Sequence, residues 1–137
     1  MMIVLDASAL VDVVLDQPAA AWVLERLRGT SVCAPVHQPA EVLSAVGRVL
    51  RAGHLDEEVA LAALDEAAAL QQELVVPDVQ HLRIAMGLRH RIRLLDGLYV
   101  ALAQERQAPL VTTDARLARS QLSVDVLWPG AGEPEQR

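Results

Sequence analysis

Met2-Ile3-Val4-Leu5-Asp6-Ala7-Ser8-Ala9-Leu10 decides the fold. Four apolar residues in a row, closed by an acid, are too short for a core helix and read as a strand. A strand with no polar alternation has no solvent face, so it belongs inside a sheet covered on both sides. Asp6 ends the run, and the chain turns into a helix over 7–14. Similar short apolar stretches follow at 32–34, 74–76, 109–112 and 124–127. Between them the apolar spacing predicts helices over 18–28, 39–52, 56–72, 78–89 and 95–105, with a helical turn at 115–120. Pro39 suits a first helical turn and Gly53 a helix stop. Asp56 reads as an N-cap with Glu57 and Glu58 behind it. Strands alternating with helices predict a three-layer α/β fold around a mostly parallel sheet.

The chain has 137 residues, which is one domain, read here as 1–128 with a flexible C-terminal tail over 129–137. It contains no Phe, and Trp22, Trp128 and Tyr99 are its only aromatic side chains of that class. Leu, Val, Ile and Ala must therefore fill the core. The single cysteine, Cys33, forms no internal disulfide and lies in a strand-like stretch, so it reads as a packing residue in a reducing, cytoplasmic setting. The first apolar run carries Asp6 and lacks a basic leader, and no apolar stretch reaches the roughly 18 residues of a membrane span. The helix over 56–72 is Ala-rich and apolar on more than one side, which fits either a homodimer face or ordinary packing on the sheet.

A net charge of −6 counts against nucleic acid as a partner, because phosphate is repelled by an acidic surface. Two features soften this. All 12 cationic residues are arginine, whose forked guanidinium matches phosphate. Some of the acids also stand where water should be scarce. Asp6 follows Ile3-Val4-Leu5, Asp96 interrupts Leu94-Leu95 and Leu98-Tyr99-Val100, Asp114 closes Leu110-Val111-Thr112-Thr113, and Glu41 opens an otherwise apolar helix. A buried carboxylate needs compensation. Taken singly, Asp6, Asp96 and Asp114 each have a second reading as a helix cap, and Glu41 as an answer to the helix dipole. Taken together, they are hard oxygen donors without a His or Cys cluster, a set that suits Mg²⁺ or Mn²⁺ rather than zinc. His37, His54, His81 and His90 lack metal-ligand spacing and read as surface or capping residues.

Four blocks in order resemble PIN-domain proteins of the VapC type: Ile3-Val4-Leu5-Asp6-Ala7-Ser8, Pro39-Ala40-Glu41-Val42, Leu95-Asp96-Gly97-Leu98-Tyr99 and Val111-Thr112-Thr113-Asp114. The resemblance covers essentially the whole chain. It implies a five-stranded parallel sheet in the order 3-2-1-4-5 and a Mg²⁺- or Mn²⁺-dependent endoribonuclease. It also implies that the protein is the toxin of a toxin–antitoxin pair, with a VapB-like antitoxin covering the site, and that it is a homodimer. Carried over by position, Asp6, Glu41, Asp96 and Asp114 form the catalytic, metal-holding cluster, with Ser8 and Thr112 orienting it. Ala115, Arg116, Leu117 and Ala118 supply no further acid directly after Asp114, and Arg116 stands there as a candidate phosphate contact. Gly97 replaces the family's more usual Ala, which should loosen the start of its helix.

Two rivals remain. A phosphatase or receiver-like domain built around Asp6 would need a lysine near the phosphate, and the chain has none. A PIN module without activity, binding RNA or an antitoxin-like protein, would have no need of the full acidic set.

Overall fold

The computed structural model describes residues 1–131. Five strands pair in parallel throughout: β1 (Met2–Leu5), β2 (Ser31–Pro35), β3 (Glu73–Val75), β4 (Leu110–Val111) and β5 (Val126–Leu127). Their order is β3-β2-β1-β4-β5. Seven helices connect them: α1 (Ala7–Val14), α2 (Ala20–Leu27), α3 (Gln38–Arg51), α4 (Glu57–Ala69), α5 (Val79–Gly87), α6 (Leu94–Arg106) and α7 (Ala115–Ala118). The α/β architecture, parallel sheet and strand order are those the sequence predicts.

Alternation along the strands assigns the two faces. Ile3, Leu5, Val32 and Val111 look to one side, where Leu10, Val23, Val42, Val46 and Ala60 from α1 to α4 meet them. Val4, Cys33 and Leu110 look to the other, onto Tyr99, Val100 and Leu102 of α6 and Leu117 of α7. Cys33 is fully buried there and packs, as its strand context predicts. The helix over 56–72 is shorter than its apolar pattern, ending at Ala69, and it packs mainly on α3 and α1. The strand at 74–76 also differs. It is the sheet edge, with Glu73 and Leu74 exposed, and Arg106 of α6 clamps Glu73 through two hydrogen bonds of 2.9 and 3.0 Å. An edge strand needs only one covered face, which an apolar pattern alone does not reveal. Pro129–Ala131 form a 3₁₀ turn, and the remainder of the expected tail, 132–137, lies outside the described residues.

Gly97 has a role other than the loosening its replacement of Ala suggests. A Cβ built on it would stand 2.7 Å from the Ala85 Cα and 2.8 Å from the Ala85 Cβ. Gly97 is the contact point that lets α5 lie against α6.

The sheet grows from β1 outward through β2 to β3, then returns to the opposite side of β1 with β4. The switch point is therefore between β1 and β4, and the crevice beyond their carboxyl ends is where such sheets gather ligands.

Candidate active site

Asp6 and Asp114 follow those two strands. Leu5 pairs in register with Val111, and the Asp6 amide donates to the Val111 carbonyl at 2.9 Å. Asp6 occupies the N-cap position of α1 in extended conformation (φ −72°, ψ 147°), yet its carboxylate makes no capping bond. It is turned instead toward two hydroxyls. Ser8 Oγ donates to Asp6 Oδ2 at 2.6 Å and Thr112 Oγ1 donates to the same oxygen at 2.7 Å. The hydroxyls are held in that sense. Ser8 Oγ accepts from the Thr113 amide at 3.1 Å and Thr112 Oγ1 from the Asp114 amide at 3.0 Å. A hydroxyl has one proton, so with a backbone donor on its lone pair it directs that proton at the carboxylate. Oδ2 is thereby saturated, and Oδ1 is the oxygen left for a cation.

Glu41 reaches the same place from the first turn of α3. The helix start is pinned by the fully buried Gln38, whose Nε2 donates to the Leu5 carbonyl at 3.0 Å and which pairs reciprocally with Gln72. Tyr99 of α6 then fixes the carboxylate, its hydroxyl donating to Glu41 Oε1 at 2.8 Å. His37 packs edge-on against the Tyr99 ring, with Nε2 3.6 Å from Glu41 Oε1. Asp96 sits in the first turn of α6, buried, and Asp114 caps α7 by accepting from the Arg116 amide at 2.9 Å. All four predicted acids line one cleft of about 530 Å³. The cap reading is thus right for Asp114 Oδ1 and wrong for Asp6 and Asp96. Asp114 Oδ2 is left for other partners.

One such partner is Arg93, which the sequence reading missed. Its Nε donates to Asp96 Oδ2 at 3.2 Å and its Nη2 lies 3.5 Å from Asp114 Oδ2. A guanidinium therefore stands between two of the acids, with its side chain 66% exposed on the solvent side. Arg116 is more loosely placed, with Nε 4.0 Å from Asp114 Oδ1. The signals for Arg93 and Tyr99 were present, since each stands three residues from Asp96 and so on its helical face. Asp12 also lines the cleft, and no pattern in the sequence marks it.

The charges strain one another. Burial pushes the Asp6 carboxyl up to about 6, the nearby charges of Asp96 and Glu41 add to this, and the Ser8 and Thr112 hydroxyls oppose it. Burial likewise raises Asp12. Tyr99 is pushed well above the usual phenol range by burial and by the facing charges of Asp6 and Glu41, so it stays a donor. Arg93 is raised, chiefly by Asp96. An oxygen-only cluster that raises its own acid and draws in a guanidinium is short of positive charge, and fits a hard divalent cation.

The histidines behave as caps or packing groups where they are buried. His81 completes a capping box with Asp78 at the start of α5, and its Nε2 meets Glu105 of α6. Both ring nitrogens are thus engaged, and the group lies outside the acidic cleft.

The chain belongs to the PIN-domain family, whose pattern matches residues 3–121. Among individual relatives, it is 42% identical over 135 residues to the protein named Ribonuclease VapC3 of Mycobacterium tuberculosis, covering 94% of this chain and 89% of that one. Its fold matches a chain of VapBC2 from Rickettsia felis bound to a promoter DNA fragment, with a TM-score of 0.67 and 18% identity over 93% of this chain and 98% of that one. It also matches a chain of a toxin–antitoxin complex from Klebsiella pneumoniae, with a TM-score of 0.59 and 16% identity over 90% and 94% of the two chains. Among the described residues, no helix is long and apolar enough to cross a membrane.

Proposed function

We propose that the protein is a divalent-metal-dependent endoribonuclease, hydrolysing RNA phosphodiesters as the toxin of a toxin–antitoxin pair. The observation that carries this reading is the convergence of Asp6, Glu41, Asp96 and Asp114 in one cleft at the β1/β4 switch point. The relative named Ribonuclease VapC3 supports the substrate class. Asp6, Asp96 and Asp114 would hold Mg²⁺ or Mn²⁺, with Glu41 completing the donor set. When bound, such an ion supplies Lewis-acid polarisation of a phosphate and a lowered pKa for water. The chain itself does the rest. Ser8 and Thr112 keep the free Asp6 oxygen turned into the cleft, and Tyr99 holds the Glu41 carboxylate against rotation. No nucleophilic side chain is needed.

The partner proposed is a VapB-like antitoxin that lays a basic segment over the acidic cleft, in line with the toxin–antitoxin complex among the fold matches. A homodimer remains part of this reading. Val79, Leu82 and Met86 lie a turn apart on α5 and are exposed, as are Val59 and Leu61 on α4.

Labelled RNA incubated with the purified chain tests the assignment. Cutting is expected with Mg²⁺ or Mn²⁺, and none after chelation. Cutting that survives EDTA overturns the metal dependence, and binding without cutting under every divalent ion overturns the enzyme. A second expectation concerns Arg93, which competes for two of the proposed ligands. Exposed ion pairs contribute about 0.2–1 kcal/mol each, so Arg93→Gln, which removes two, should tighten Mn²⁺ binding by roughly two- to thirtyfold in calorimetry. Unchanged or weaker binding would mean that Arg93 does not occupy the cation's place.

A further inference from the structure

Next to the acidic cleft lies a second one of about 340 Å³, with Arg93, Asp96, Asp114 and Arg116 as the shared wall. The rest of its lining is of opposite character. Arg89, His90 and Arg91 come from the turn that joins α5 to α6. Of the 12 arginines in a chain of net charge −6, four face this one depression.

Their grouping around one depression sets these arginines apart. Several of the others are engaged singly within the protein. Arg28 pairs with Glu25, Arg106 with Glu73, and Arg26 and Arg119 lie over Trp22 and Trp128. Among the described residues, Arg89 and Arg91 have no carboxylate within ion-pair distance. Each is anchored by one nitrogen to a backbone carbonyl, Arg89 Nη1 to Met86 at 3.0 Å and Arg91 Nη1 to Gln121 at 2.9 Å. A guanidinium has five N–H donors, so the anchor orients the group and leaves most of its donors facing outward. Oriented, unpaired arginines beside a carboxylate cleft form an anion site next to a cation site.

We infer that the Arg89–Arg91 turn, with Arg93 and Arg116, grips the phosphates of the RNA strand flanking the bond to be cut, and so feeds one phosphodiester into the acidic cleft. This inference rests on the ribonuclease reading and adds where the strand runs. It also accounts for how an acidic protein holds a polyanion, since the positive charge is concentrated along the strand's path. The guanidinium groups dominate the lining, so the grip is chiefly on the backbone.

The test is the salt dependence of binding. A fluorescein-labelled oligouridine is titrated by anisotropy, over a range of KCl, with the chain carrying Asp6→Asn to suppress cutting. Each phosphate contact on a single strand contributes about 0.7 to the slope of log affinity against log salt, so Arg89→Ala/Arg91→Ala should lower that slope by about 1.4. Arg89→Lys/Arg91→Lys should keep most of it. Arg28→Ala/Arg51→Ala, which removes the same charge outside both clefts, should leave it unchanged. Equal losses in the two alanine pairs, or no loss in the first, overturn the inference. Cutting by the unmodified chain separates the two failures. If it cuts RNA while the Arg89/Arg91 pair keeps the parental slope, only the strand path is wrong. A chain that neither binds nor cuts RNA removes both.

Discussion

Asp6→Asn should abolish RNA cutting and, in the same stroke, give a metal-free protein that melts higher than its parent at pH 7. The two effects share one cause. Asp6 is 5% exposed, faces Glu41 and Asp96, and has its carboxyl pushed from 3.8 to about 6. The folded pKa lies above the unfolded one, so the folded chain binds this proton more tightly. Its cost to stability is therefore fully present above about 6, shrinks as pH falls, and is gone below about 3.8. A shift of that size corresponds to about 3 kcal/mol at neutral pH. Asn keeps the shape, still offers an oxygen to Ser8 and Thr112, and carries no charge. A gain of about 1–3 kcal/mol should appear as a melting temperature higher by roughly 3–10 °C in EDTA. The parent's advantage at pH 5 over pH 7 should shrink by the same amount in the variant. Saturating Mn²⁺ should reverse the order, because only the parent gains from the cation. A variant that is less stable than the parent in EDTA at pH 7 would show that Asp6 is not strained. One that cuts RNA at the parental rate would remove Asp6 from the reaction. Here a group that costs the fold stability is retained for what it binds.

Gly97→Ala should destabilise the protein although it places a better helix former inside α6. Helix propensity favours Ala over Gly by about 1 kcal/mol. Against this, the new methyl would lie 2.7 Å from the Ala85 Cα, an atom of the α5 backbone that no rotamer change can move. The helices must part, and overpacking of this kind costs about 1–3 kcal/mol, so after the propensity gain the net loss should reach about 2 kcal/mol. Thermal melting should show it as a fall of several degrees. Ala85→Gly in the same chain should recover little of it, because the nearer Ala85 Cα stays in place and a glycine inside α5 itself costs about 1 kcal/mol. A single variant as stable as the parent would mean that α5 yields freely. Asp96 is the neighbouring residue, so the damaged variant should also bind Mn²⁺ more weakly.

The fold was legible because its strands are short and apolar and alternate with helical stretches, a pattern that period alone can read. The edge position of β3 was not, since Leu74-Val75-Val76 looks the same in a central strand as in one bordered by solvent. The four acids were visible as polar residues in apolar surroundings, and the structure brings all four together. Their supports were harder to see. Arg93 and Tyr99 lie one turn either side of Asp96, but the meaning of that spacing depends on which way α6 faces, and the burial of residues 96–103 settles this only in three dimensions. Gln38 gives no signal at all, because a buried glutamine is identified by its partners, and Leu5 and Gln72 are far from it in sequence. Gly97 misled, since a glycine beside an acid looks like local flexibility and is in fact a point of contact between helices.

The pairing of Ser8 with Thr112 joins residues 104 positions apart. Part of what aims Asp6 therefore waits on the residues that follow β4, one of the last segments to be made. While the chain is still emerging from the ribosome, its first acid has Ser8 beside it but lacks the Thr112 hydroxyl and the Thr113 amide that fixes the sense of Ser8, and Asp114 has not yet been added. The cleft is in this way incomplete until synthesis is nearly over, and a product cut short before β4 lacks both Thr112 and Asp114.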